Sequence, residues 1–144
     1  MREKDFQVLF GKWLRSEEAL KYLGVGDAFE LKFLREGERL NFNAVQDHQI
    51  AGLRRAKEGV LYYKLSDMSA NAKPFDCFTL RSAGAWVVLM WWRKGGRWKE
   101  RGFYLIDVDA YEDLREEKVR KGGRGSKSMT EKEASEVGIK VKMG

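Results

Sequence analysis

Glu30 and Lys32 are the sharpest chemical feature of the chain. They lie two residues apart in Ala28–Leu34 (AFELKFL), whose period-2 alternation predicts a strand. Phe29, Leu31 and Phe33 fill one face of it, and Glu30 and Lys32 project from the other between Ala28 and Leu34. Covering ionised groups with a helix costs free energy unless they are paired or bind a metal. On a solvated edge strand the same two residues would be a surface pair worth under about 1 kcal/mol. Asp76, in Lys73-Pro74-Phe75-Asp76, stands where a later strand begins. With Glu30 it would provide the carboxylates for a hard cation such as Mg²⁺, which takes one or two and keeps several waters. Lys32 would then orient or help deprotonate an attacking water. A turn or strand-end cap is the plainer role for Asp76.

The elements that must position these groups follow from periodicity. Phe6, Leu9, Phe10, Trp13 and Leu14 mark an amphipathic first helix. Glu3 and Gln7 sit on its flank, where both could look toward the sheet. After the strand, Arg35–Glu38 reads as a turn, and a second helix runs from Asn43 or Gln46 to about Lys57. Val45, Gln49, Leu53 and Ala56 form its packed stripe. Gln49 there would bond a metal-bound water or phosphate, or be a buried amide satisfied by backbone. His48, the one histidine, falls toward the helix edge, as a phosphate contact or a plain surface residue. Val60–Ser66 is a further strand, and strand–helix–strand order predicts a parallel βαβ crossover. Phe75–Leu80 and Ala85–Trp92 read as an antiparallel hairpin. Arg93–Arg101 is a basic turn in which Trp98 is placed to stack on a base, whereas Trp91 and Trp92 suit the core. Gly102–Asp107 is a strand and Val108–Arg115 a short helix; capping-box spacing at Thr130–Glu133 opens a last helix. The expected fold is α/β, a central mixed β-sheet flanked by helices. Residues 1–114 would form the core domain, and 115–144 a basic flexible segment with a short C-terminal helix.

At 144 residues the chain suits one domain, and 43% hydrophobic with 35% charged residues and a single Pro describes an ordered chain with an ionic surface. Its net charge is +6, and a basic balance favours polyanionic partners through counterion release. Six Lys/Arg against two Glu between Arg115 and Lys127 supply +4 of it. One cysteine, Cys77, excludes an internal disulfide framework and a CxxC zinc site. No apolar run approaches the ~18 residues a membrane span needs, and the charged start is unlike a signal peptide. A cytoplasmic location is expected. No Walker loop, GxGxxG or Ser-His-Asp set appears, so nucleotide hydrolysis and acyl transfer find no support.

The ordered set DFQVLFGKWL, AFELKF, FNAVQDHQIAGL, YYKLSD and KPFDCF resembles the PD-(D/E)xK nuclease core of archaeal and RecU-type Holliday-junction resolvases and of their phage-encoded relatives, over roughly residues 3–108. That resemblance implies a restriction-endonuclease-like core and a homodimeric, Mg²⁺-dependent endonuclease (Mn²⁺ substituting) acting on four-way or branched DNA. Glu30 and Lys32 match the E-x-K pair, and Gln49 the glutamine of the following helix. Gln7 aligns with a first-helix glutamate, with Glu3 as its substitute. Lys73, His48, Arg120, Lys121, Arg124 and Lys127 are the expected DNA contacts. The pattern departs in one respect: the Asp motif follows E-x-K instead of preceding it, and Asp27 is too close to replace it. This permuted strand order builds the site only if the Asp76 strand pairs beside the Glu30 strand. A flap or single-strand nuclease, an inactive DNA-binding module of the same fold and a structural protein are the rival readings.

Overall fold

The computed structural model describes residues 2–23, 26–65, 74–81, 84–93 and 102–142. Lys73 and Trp98 lie outside the described residues. The chain opens with α1 (Glu3–Leu14), whose first turn is capped by the Asp5 carboxylate accepting the Arg2 N–H at 2.8 Å. A 3₁₀ turn at Glu18–Lys21 leads to β1 (Ala28–Arg35). Then come β2 (Leu40–Asn41), α2 (Asp47–Glu58), β3 (Val60–Lys64), β4 (Cys77–Arg81), β5 (Ala85–Trp92), β6 (Gly102–Asp107), α3 (Val108–Lys121), β7 (Ser128–Met129), α4 (Glu131–Val137) and β8 (Ile139–Lys142).

The architecture is α/β. Its main sheet has four strands in the order β1-β5-β6-β8 and is mixed: β1 and β5 run parallel, while β6 is antiparallel to both β5 and β8. The apolar run of β5 is explained by its central place, where Val87 and Leu89 face one core and Val88 and Met90 the other, all within 1% of full burial. On one side α1 packs Phe6, Phe10 and Trp13 against Phe29, Leu31 and Phe33 of β1 and Phe103 of β6. On the other, Ile50 and Leu53 of α2, Tyr111 of α3 and Ala134 of α4 cover Val87, Leu89 and Ile106. Helices thus flank both faces.

Two expected pairings are not formed. β3 does not lie parallel to β1; it pairs antiparallel with β4 in a separate two-stranded ribbon. β4 and β5 therefore make no hairpin, and the strand parallel to β1 is β5. The physical reason is burial: β5 is apolar on both faces and fills a central position beside β1, whereas β3 and β4 pair with each other.

The expected division after residue 114 is also absent. α3 continues past Arg115 to Lys121, because Lys118 is anchored by the Ser128 carbonyl at 2.6 Å and the Glu133 carboxylate at 2.7 Å. Met129, Ala134 and Val141 are buried in the same two cores as the preceding chain, and β8 is an outer strand of the main sheet. α4 begins with the reciprocal Thr130–Glu133 cap that its spacing announced. Among the described residues, no helix is long and apolar enough to cross a membrane.

The joint between α4 and β8 leaves no room for a side chain. A Cβ on Gly138 would stand 2.8 Å from the Ile106 side chain and 2.9 Å from the Leu105 carbonyl oxygen. Gly138→Ala is expected to cost about 1–3 kcal/mol, the usual cost of overpacking, seen as a lower urea midpoint at unchanged m-value. A midpoint equal to wild type would show that this joint is looser than described.

Candidate active site

Glu30 and Lys32 leave β1 on its α2 side, opposite the Phe29–Leu31–Phe33 face that α1 covers. Because β1 is an edge strand, neither is sealed off; their side chains are 25% and 22% exposed. The Lys32 ammonium lies 3.3 Å from Glu30 Oε1, and Gln49 Nε2 donates to the same oxygen at 2.8 Å. Gln49 is held in turn by the start of α2, where its Oε1 accepts the Gln46 N–H at 2.9 Å. One reciprocal cap therefore both begins the helix and fixes which end of the amide faces Glu30. Gln49 is neither backbone-satisfied alone nor buried without purpose: it bridges helix and strand.

A shallow cleft of about 330 Å³ runs along the other side of β1, lined by Glu3, Gln7 and Gly11 of α1 and by Phe29, Glu30 and Leu31. Both first-helix residues singled out in the sequence thus share a cleft with Glu30.

Asp76 is not brought to this centre. It precedes β4, which pairs with β3 and not with β1; it is exposed, and its backbone carbonyl accepts the Leu65 N–H at 2.8 Å. The strand adjacency on which its metal role depended is not made, because β4 pairs with β3 and not with β1. Among the described residues, no group of three or more His, Cys, Asp or Glu is placed to hold a metal ion. Glu30 would be the carboxylate to hold a hard cation, which takes one or two carboxylates and keeps several waters.

Of the expected DNA contacts, His48 is exposed in the first turn of α2, and Arg120, Arg124 and Lys127 are exposed at and after the end of α3. Lys121 is exposed and pairs with Glu117 at 2.8 Å. Asp113, Glu116 and Glu117 line a surface hollow with Arg120, so the outer face of α3 is mixed in sign. Arg115 and Lys118 are half-buried and tied within the fold: Arg115 reaches the exposed Asp47 at 3.7 Å, and Lys118 ties α3 to α4.

Sequence reasoning missed an ionic clasp between α2 and α3. Lys57 contacts Asp107 at 2.9 Å and Asp109 at 2.6 Å; Arg54 contacts Asp109 at 2.9 Å and also Glu112. The available signal was the three-residue spacing of Arg54 and Lys57, one helical face apart from three closely spaced acids. Hydrogen bonding to Lys57 holds the Asp109 carboxyl below its usual 3.8, and Asp109 and Asp107 together hold the Lys57 ammonium above 10.5. The Asp109 contribution is present above pH 3.8 and is lost as pH falls through its folded value. The Lys57 contribution is complete below pH 10.5 and is lost above it. Between those limits the clasp is intact. It is partly exposed, so Lys57→Met is expected to cost under about 1 kcal/mol at neutral pH and to flatten the acid limb of the stability profile. An acid limb identical to wild type would remove the clasp from the stability of the fold.

Comparisons with protein-family models, curated proteins and solved structures find no match to this chain.

Proposed function

We propose that this chain is a Mg²⁺-dependent DNA endonuclease acting on branched DNA, four-way junctions above all, and that its core is of the restriction-endonuclease-like kind with a permuted order of strands. The observation that carries the reading is the convergence of Lys32 and Gln49 on one oxygen of a part-exposed Glu30 at a sheet edge. A solvated surface pair has no need of a helix-anchored amide; a carboxylate that must present one oxygen in a fixed direction does.

In this reading Glu30 would hold the ion, and the hydrogen bond from Gln49 fixes the direction of its carboxylate. Lys32 holds the attacking water and offsets negative charge on the phosphate. Mg²⁺, or Mn²⁺ in its place, would supply Lewis-acid chemistry when bound. Asp76 has no part in the centre, because its strand pairs with β3. The net charge of +6 favours a phosphate backbone as partner, with His48, Arg120, Arg124 and Lys127 as exposed contacts. Symmetric nicking of a junction is met most simply by a two-fold dimer.

A second reading, a DNA-binding module that does not cut, draws on one specific observation: Asp76 lies outside the site. A panel of end-labelled four-way junction, flap, linear duplex and single-stranded DNA, incubated with Mg²⁺ or EDTA, separates the readings. Junction cutting that needs the metal is the expected result. Cutting confined to flaps or single strands would move the enzyme to repair-type substrates. Salt-sensitive junction binding with no cutting in Mg²⁺ or Mn²⁺ would establish the non-cutting module, and no binding at all would end both.

A further inference from the structure

The two edges of the main sheet are unlike. β8 is four residues long and carries exposed Lys140 and Lys142, the kind of guard that blocks edge-to-edge pairing. β1 is eight residues long, and its only strand neighbour among the described residues is β5. Along a strand, successive residues send their N–H and C=O groups to opposite sides. The Ala28 N–H goes to Gly84 O at 3.0 Å and the Glu36 N–H to Trp92 O at 2.7 Å, so the even-numbered residues face β5. Phe29, Leu31 and Phe33 therefore face the open side. The next in that series, Arg35, has its N–H taken by the Glu38 carboxylate at 2.9 Å, which ends the open run. The centre of the run is Leu31.

We propose that β1 pairs antiparallel with β1 of a second copy of this chain, about a two-fold axis through Leu31. Only this register satisfies the outward N–H and C=O groups of Phe29, Leu31 and Phe33 in both copies at once. It is also the register the side chains require. Read from Leu31 outward, the strand is chemically palindromic with charge inverted: Glu30 opposes the partner's Lys32, and Phe29 the partner's Phe33. Glu30 and the partner's Lys32 form a non-hydrogen-bonded pair, where facing side chains come closest. On the α1 side, the facing phenylalanines continue the aromatic layer across the axis. The interface is isologous and closes after two copies.

This inference names the surface of the two-fold enzyme proposed above, and it is tested without DNA or metal, so its failure leaves cutting untouched. Sedimentation equilibrium is run on wild type, Glu30→Lys, Lys32→Glu and an equimolar mixture of the two variants. Wild type is expected at twice the chain mass. Each variant alone sets like charges against each other across the axis and is expected at the chain mass. In the mixture, position 30 of each chain again faces an opposite charge at position 32 of the other, and the doubled mass is expected to return. Circular dichroism verifies that each variant is folded. Leu31→Pro, which removes an outward donor and no bond to β5, provides a further variant expected at the chain mass. A monomeric wild type, a folded variant that stays dimeric alone, or a mixture that stays monomeric overturns the proposal.

Discussion

Glu30→Ala is expected to lower Mg²⁺-dependent cutting of a four-way junction by at least about 10²–10³-fold while leaving junction binding nearly unchanged. The two effects separate because they rest on different residues. The exposed cations after α3 and His48 contact phosphate wherever it runs, and none of them touches Glu30. The carboxylate is the group on which Lys32 and Gln49 both converge, so its removal leaves an ammonium and an amide with nothing to orient. Single-turnover cutting with enzyme in excess reads the chemical step, and a gel-shift titration at fixed salt reads binding. If cutting survives within tenfold, Glu30 is not at the reacting centre. If binding collapses together with cutting, the residue supports DNA contact or the fold and not the chemistry.

Phe103→Ala is expected to cost about 3–5 kcal/mol of folding stability, the largest effect of any single truncation considered. Phe103 is fully buried, and its ring meets Trp13 edge-on at 4.8 Å, Phe10 edge-on at 5.3 Å and Phe6 at 6.5 Å. It is the residue of the sheet against which α1 is seated. Removing it opens a cavity under three aromatic rings that cannot all collapse into it. Against a typical stability of about 5–15 kcal/mol, a loss of that size threatens the fold itself. Guanidinium unfolding followed by tryptophan fluorescence provides the measurement. A loss below about 1 kcal/mol would mean that α1 does not rest on this ring. Because α1 also brings Glu3 and Gln7 to the cleft beside Glu30, the same truncation is expected to loosen one wall of that cleft.

Much of this could be read from the residues. The i, i+2 spacing put Glu30 and Lys32 on one face, and the helical stripe of α2 turned Gln49 toward the sheet; these are local periodicities, and they hold wherever the element ends up. Strand neighbours are another matter. That β5 and not β3 lies beside β1 depends on which strand can be buried on both faces, a competition between segments far apart in sequence. Asp76 inherited that uncertainty, since its role needed one particular strand order. The end of α3 was misplaced for a similar reason: the partners of Lys118 are Ser128 and Glu133, on the far side of a glycine turn. The α2–α3 clasp was overlooked because acids at a helix start have a sufficient explanation in the helix dipole, and the spacing of Arg54 and Lys57 does not by itself say which acids they will meet.

The double duty of Gln49 narrows what evolution can place at that position. A glutamate would still close the helix cap, yet it would set a second negative charge against Glu30. An asparagine, one methylene shorter, would have to choose between strand and helix. In related chains that keep an acid at position 30, an amide of this length is the residue that serves both neighbours, so the two positions should vary together or not at all.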